Sequence, residues 1–346
     1  MSQPAKENAT IRKQPAKRGT LPPKRIIQLG QWVWTTLWYQ MMAKMAPRDR
    51  SGAYIRPSSE FRHFIGTEAG NPYQPAEGRY KLYVGMSCPW AHRTLIVRSL
   101  KGLEAAISVT VVAPSPIEGG WVFTQEEAGC RTLAELYQLA QPGYQGRSTV
   151  PVLWDTETKT IVNNESAEII VMLNSAFNGI AKNPSLDLYP EELRQAIEQW
   201  NEKIYYAVNN GVYRCGFAQT QEAYEQACTE LFSTLDQIET VLQHNRYLCG
   251  SSVTLADVRL FTTLIRFDPV YYGLFKCNRR RILDYKHLGS YLRDLYQLPG
   301  VADTCDLEAV KQDYYRNLFP LNPGGIIPLG PEMSNLLEPH ERGKMV

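Results

Sequence analysis

The chain has 346 residues, 44% of them hydrophobic and 21% charged, which excludes a disordered or collagen-like polymer and allows about two domains of ordinary size. Its 37 Lys+Arg against 35 Asp+Glu leave a net charge of +2, too close to neutral for a general nucleic-acid binder held by phosphate contacts. The seven cysteines (Cys88, Cys130, Cys215, Cys228, Cys249, Cys277 and Cys305) are scattered and form neither a CxxC pair nor a Cys/His cluster of metal-ligand spacing. No metal is expected, and a reducing, cytoplasmic setting fits best.

The near-neutral total hides an asymmetry. Residues 1–50 hold ten Lys/Arg and only two acids, Glu7 and Asp49. Residues 1–25, rich in Pro, Lys and Gln, read as a disordered lead. From Ile26 to Ala46 follows a segment with Trp32, Val33, Trp34, Leu37, Trp38, Tyr39, Met41 and Met42, interrupted by Gln28, Gln31, Thr35, Thr36 and Gln40 and ended by Pro47. It is too polar to span a bilayer. As an amphipathic helix behind basic residues, it either makes peripheral contact with a membrane through residues 26–46 or packs its Trp/Met face on the protein. No compact apolar core with a small-residue cleavage site is found near the start, so a cleaved signal peptide is not expected.

Residues 48–78 carry turn residues and aromatics without a long period, and are expected to wrap the domain that follows. RYKLYVG (79–85) reads as a strand. Next comes a helix with Pro89 in its first turn and Ala91, Leu95, Ile96, Leu100 and Leu103 at helical spacing. SVTVV (108–112) is a second strand, and residues 113–149 read as a long irregular insertion containing GGWVF and a short helix near Leu133 to Leu139. VPVLWD (150–155) and TIVN (160–163) form a strand hairpin, followed by a helix from about Glu165 to Phe177. This order predicts a thioredoxin-like α/β domain. Beyond a Pro/Asn/Gly linker at 178–190, the pattern becomes a series of long helices to about Tyr315. The predicted organisation is a basic extension (1–50), a thioredoxin-like domain (51–178), an all-helical domain (190–332) and a tail (333–346).

Cys88 falls where a strand meets a helix, so its sulfur lies near free backbone N–H groups and the positive end of the helix dipole, both of which favour the thiolate. Position 91, three residues on, is alanine and not a resolving cysteine. Cys88 is therefore a monothiol nucleophile or a buried structural residue. A monothiol that attacks sulfur needs an external thiol to clear its mixed disulfide, and glutathione is the abundant one. The other six cysteines read as structural.

Val150 and Pro151 open the third strand, where a thioredoxin-like domain places a cis peptide that exposes backbone to a peptide-like ligand. Asn164, Glu165 and Ser166 begin a helix whose N–H groups and hydroxyl suit a carboxylate, with Glu165 available for an amine. Thr254 to Asp257 fits a structural capping box. Among 20 tyrosines, Tyr213, Tyr271, Tyr272, Tyr314 and Tyr315 sit beside turn-like sequences, either as packing residues or as hydroxyls for a phenolic or quinonoid ligand.

At SCPWAHR (87–93) the sequence resembles the glutathione transferase superfamily, and specifically its xi class, the glutathionyl-hydroquinone reductases. GGWVF, TVPVLWD, IVNNESAEII, NNGVYRCGFA, RFDPVYYGLFKCN and DYYRNLFPLNPGGIIPLGP follow in the family's order, covering about residues 50–332. The resemblance implies Cys88 as catalytic nucleophile; Trp121, Arg147, Val150, Pro151, Glu165 and Ser166 as glutathione-binding residues; and Tyr213, Tyr271 and Tyr314 as contacts of the hydroquinone. It also implies a glutathione transferase architecture, glutathione as cosubstrate, a glutathione conjugate of a quinone as substrate, and a homodimer. Two other readings use the same residues: an omega-like thioltransferase or dehydroascorbate reductase, and a non-catalytic, membrane-associated glutathione-binding module.

Overall fold

The computed structural model describes residues 23–115 and 117–345. Residues up to Met45 form one compact unit and those from Ala46 onward a second. In the first, α1 (Pro23–Met45) is the helix expected over 26–46. It contains no acidic residue, and its apolar side chains are widely accessible, with Trp32 66% and Ile27 60% exposed. No described helix is long and apolar enough to cross a membrane. The disordered lead expected over 1–25 falls almost wholly outside the described residues.

The second unit is organised around β1 (Tyr80–Val84), whose Tyr80, Leu82, Tyr83 and Val84 are all buried. Helices cover a sheet of this kind on both faces, so its central strand reads as a continuous apolar run. The crossover helix α2 (Pro89–Leu100) carries the chain from β1 to β2 (Ile107–Ser115), which runs parallel to it with Tyr80 opposite Ile107. On the other side β5 (Val152–Asp155) pairs antiparallel with β1, and β6 (Thr160–Asn163) pairs antiparallel with β5. The α4 helix (Ser166–Ser175) then returns across the sheet to pack against α2.

The insertion at 113–149 is not irregular, contrary to the sequence expectation. β2 continues to Ser115, β3 (Gly120–Glu127) folds back on it with Trp121 opposite Pro114, and β4 (Cys130–Thr132) and α3 (Leu133–Ala140) follow. The sheet thus has six strands in the order β4-β3-β2-β1-β5-β6. The extension was hidden because β3 lies near the sheet edge and buries only Phe123 on its inward side, so the alternation that marks a half-buried strand is almost absent.

The segment before β1 lies along the opposite edge. His63 N–H donates to the Val162 carbonyl (3.0 Å), and Phe61 exchanges two bonds with Asn164, through the backbone (3.1 Å) and the side-chain oxygen (3.2 Å). This strap fixes residues 56–63 beside the start of α4.

Helices α5 (Arg194–Ile204), α6 (Gly211–Gly216), α7 (Gln221–Leu242), α8 (Leu255–Arg266), the single turn α9 (Tyr272–Leu274), α10 (Lys286–Tyr296) and α11 (Leu307–Asn317) make up the remainder. The run 191–213, expected as one helix, is interrupted by a π turn at Tyr205–Asn209, and a second π turn at Phe267–Tyr271 ends α8. Each wider turn rotates the following residues around the axis, so Tyr213 and Tyr271 leave the regular helical face. The capping box at α8 is present: Asp257 accepts from Thr254 N–H (2.8 Å) and Thr254 Oγ1 (2.8 Å), and also from Leu248 N–H (2.9 Å) and Tyr291 OH (2.7 Å).

Candidate active site

Cys88 is the N-cap of α2, with Pro89 as the first helical residue. Its N–H donates to the Gly85 carbonyl (3.0 Å), a tight turn that brings the sulfur over the helix start. There Sγ lies 3.6 Å from the Val150 carbonyl, to which the thiol donates, and the Ala91 and Trp90 N–H groups of the helix start favour its anionic form. The Val150–Pro151 peptide is cis. Trp121, reaching over from β3, packs so closely on Gly85 that any Cβ there would lie 2.3 Å from its ring, so this turn admits only glycine.

The expectation of a thiol held below its ordinary pKa is not met. Sγ keeps an intermediate accessibility yet sits deep among packed atoms, and this desolvation pushes the thiol up. The helix N–H groups, Arg56 and Arg266 act in the opposite direction without outweighing it. The helix start alone decides less than the sequence suggests.

The glutathione-side residues form a connected patch around the start of α4. Glu165 caps that helix, its Oε1 accepting from Ala167 N–H (3.0 Å) and its Oε2 from Ser59 Oγ (3.0 Å) on the strap. Ser166 is buried and its Oγ accepts from Arg93 Nη1 (3.3 Å), while Arg93 Nη2 donates to Asn209 in the first π turn (2.7 Å). Arg147 stands apart: its side chain is exposed on the loop after α3, and only its carbonyl is engaged, by Tyr144 OH (3.3 Å).

The three singled-out tyrosines do converge. Tyr314 on α11 hydrogen-bonds both Tyr213 on α6 (2.5 Å) and Tyr271 in the second π turn (3.1 Å), and Phe275 packs against all three rings. Tyr271 and Tyr314 are buried, whereas Tyr213 retains accessibility. Burial raises all three phenols, Tyr213 and Tyr314 well above the usual range, so they remain neutral donors. Cys88 acts electrostatically on Tyr213 and Tyr271, so the thiol and these phenols are near enough to influence one another.

Sequence reasoning missed the arginines. Arg266, at the end of α8 and 2% exposed, donates to the carbonyls of Ser87 (2.9 Å) and Met86 (2.9 Å), to Thr262 (2.9 Å) and to His92 Nδ1 (2.9 Å). A guanidinium only donates, so Nδ1 must accept, and His92 carries its proton on Nε2, which reaches Thr304 Oγ1 (2.8 Å). Burial and Arg266 together hold His92 well below its usual pKa, hence neutral. The available signal was an arginine at the end of a helix rich in Leu, Val, Ile and Phe, a position where a charge is costly unless it is well bonded.

This geometry agrees with the comparisons. The chain matches the glutathione S-transferase N-terminal domain over residues 87–176 and the C-terminal domain over 221–294. It is 46% identical to the glutathionyl-hydroquinone reductase YqjG of Escherichia coli over 91% of this chain and 98% of that one. It is 45% identical to the glutathionyl-hydroquinone reductase PcpF of Sphingobium chlorophenolicum over 86% and 94%. The crystal structure of the glutathione S-transferase Xi from Phanerochaete chrysosporium superposes with a TM-score of 0.80 at 46% identity, covering 84% of this chain and 96% of that one. Thioredoxin-like sheet, helical half and the cysteine between them identify the chain as a member of the xi class of glutathione transferases, the glutathionyl-hydroquinone reductase family.

Proposed function

We propose that this protein reduces glutathionyl-hydroquinones to hydroquinones with glutathione as reductant. The carrying observation is a set of three mutually bonded, neutral phenols within electrostatic reach of a monothiol at a helix start. Relatives named for this reaction, at 45 and 46% identity over nearly their whole length, support the reading.

In the first half-reaction the Cys88 thiolate attacks the glutathionyl sulfur. The S–S bond forms as the carbon–sulfur bond to the ring breaks, and the bonding pair stays on the ring carbon, which takes up a proton. Cys88 is oxidised to a mixed disulfide and the ring is reduced. In the second, the thiolate of another glutathione attacks the glutathionyl sulfur held on Cys88, releasing glutathione disulfide and restoring the thiolate. The proton gained by the ring balances the one lost by that second glutathione.

In each phenol–phenol bond either hydroxyl can donate, and the order that serves the reaction is the one ending at the accessible hydroxyl. Three hydroxyls joined by two hydrogen bonds leave one proton free, and of the two ends, Tyr213 is the accessible one. The order Tyr271 to Tyr314 to Tyr213 therefore presents the Tyr213 proton to a ring oxygen of the substrate, strengthened by the two bonds behind it. Val150 offers backbone beside the cis-Pro151, Glu165 takes the γ-glutamyl amine, and Ser166 with the α4 N–H groups takes the carboxylate. Trp121 walls the site over Gly85, and Arg147, exposed on its loop, would have to swing inward to contact glutathione.

The same proposal covers a division into a glutathione-binding domain over 51–178 and a helical domain over 190–332, a homodimer, a cytoplasmic location, and peripheral membrane contact through the accessible apolar residues of α1. It is tested by incubating the protein with a synthetic glutathionyl-hydroquinone and glutathione while following free hydroquinone by chromatography. Release that requires Cys88 is expected. Glutathionylation of Cys88 without release would instead favour a general thioltransferase.

A further inference from the structure

The strap before β1 contributes a charge that the site description leaves without a task. Arg56 places its guanidinium 3.9 Å from the centre of the Trp90 ring, two residues beyond Cys88. It is half-buried, and no hydrogen bond or ion pair of its side chain is found among the described residues. Arg93 approaches the same ring at 4.4 Å, but its two terminal nitrogens are engaged by Ser166 and Asn209, and only its buried Nε lacks a partner among the described residues. Arg56 is thus a guanidinium fixed by stacking, with its N–H groups unspent.

Its position is built. Three residues on, Ser59 is bonded to Glu165 (3.0 Å), and Phe61 is bonded twice to Asn164, so the backbone carrying Arg56 is tied to the start of α4 on the glutathione side of the cleft. A partly buried cation with no carboxylate partner is costly unless an anion arrives. Through space it favours the anionic form of the Cys88 sulfur and disfavours the charge of neighbouring Arg93.

We propose that Arg56 is the cation that holds the negative charge of the Cys88 sulfur when the thiol deprotonates for attack and when glutathione clears the mixed disulfide. The other groups facing that sulfur are the Trp90 and Ala91 N–H groups of α2, Arg266 from α8, and the hydroxyls of Tyr213 and Tyr271. Arg266 is already saturated by four neutral acceptors and serves to position the turn. Arg56 is the one of the two cations whose donors remain available at the cleft. The inference rests on Cys88 being the nucleophile and not on the identity of the quinone.

The test is the pH dependence of iodoacetamide alkylation, quantified on the Cys88 peptide by mass spectrometry, for the wild type, Arg56→Gln and Arg56→Lys, with thermal unfolding of each to verify the fold. Arg56→Gln is expected to move the midpoint up by about half to one pH unit, a three- to tenfold slower alkylation below the midpoint, and Arg56→Lys to restore most of it. A Gln variant that keeps the wild-type midpoint overturns the proposal. So does an equal shift in both variants, since stacking and not charge would then be responsible. Alkylation needs no hydroquinone, so a shifted midpoint in a protein that fails to turn over glutathionyl-hydroquinone would reject the reductase reading and leave Arg56 in place.

Discussion

The hydroxyl of Tyr314 has two phenolic partners and no route to solvent of its own, so its contribution to the reaction passes through Tyr213. Tyr314→Phe removes the bond behind the Tyr213 proton without emptying the site. Turnover should fall by roughly 10- to 100-fold with KM changed much less, measured by steady-state release of hydroquinone. The thiol gives the pH profile its sign. With Cys88 raised by burial and the phenols raised further, kcat/KM should climb from neutral into alkaline pH, with no descending limb from tyrosine below about pH 10.

His92 imposes a separate dependence on stability. Its folded pKa is depressed, so below about pH 6.5 the unfolded chain binds a proton that the folded one refuses. Stability is present above that pH and is lost as pH falls, by up to about 1.4 kcal/mol per unit. His92→Gln, which still offers Arg266 an acceptor, should show a flatter slope in urea denaturation between pH 7.5 and 5.5.

At this scale Cys88, Glu165, Ser166 and the tyrosines were legible because each stands at a helix start or beside a turn. His92 and Arg266 were not, since the bond joining them spans 174 residues and leaves no local pattern.

Among the elements, α8 carries both halves of the site. Its first turn is held by Asp257, whose buried carboxylate collects four donors, and its last residue, Arg266, fastens the Cys88 turn. Asp257→Ala would orphan those donors in the core. The expected cost is about 2 to 4 kcal/mol, read as a lowered Tm, with kinetics close to wild type in the fraction that remains folded. The capping box was legible from Thr254 and Asp257 alone, because its partners lie within three residues. The hairpin of β2 and β3 was not, for the physical reason that a strand near the sheet edge with one buried residue has no period to detect. Nor were the π turns: the one at Tyr205–Asn209 holds neither proline nor glycine, and Pro269 in the one at Phe267–Tyr271 marks a break without saying that the helix widens there. These two turns deliver Arg93's partner Asn209 and the phenol of Tyr271, so the least legible local structure lies at the chemistry.

For the molecule as a whole, two half-structures meet across Cys88: α2 packs on α4 of the sheet half and on α8 of the helical half. That arrangement follows from the order of motifs, so the fold family could be read before any coordinate was known. The charge is distributed unevenly along the sequence. Ten basic residues precede position 51, and α1 adds accessible apolar residues with no acid among them. If this surface serves a membrane, the full chain should co-sediment with vesicles containing anionic lipid and a chain beginning at Ala46 should not, each at moderate ionic strength.

The account's central claim is that Cys88 takes the glutathionyl sulfur from a carbon. It is tested most directly by mixing the protein with glutathionyl-hydroquinone in the absence of free glutathione, then following hydroquinone by chromatography and the Cys88 peptide by mass spectrometry. One equivalent of hydroquinone per subunit should appear together with a stoichiometric glutathione adduct on Cys88, and turnover should resume only when glutathione is added. Release without that adduct, or an adduct on Cys88 with no hydroquinone set free, would contradict it.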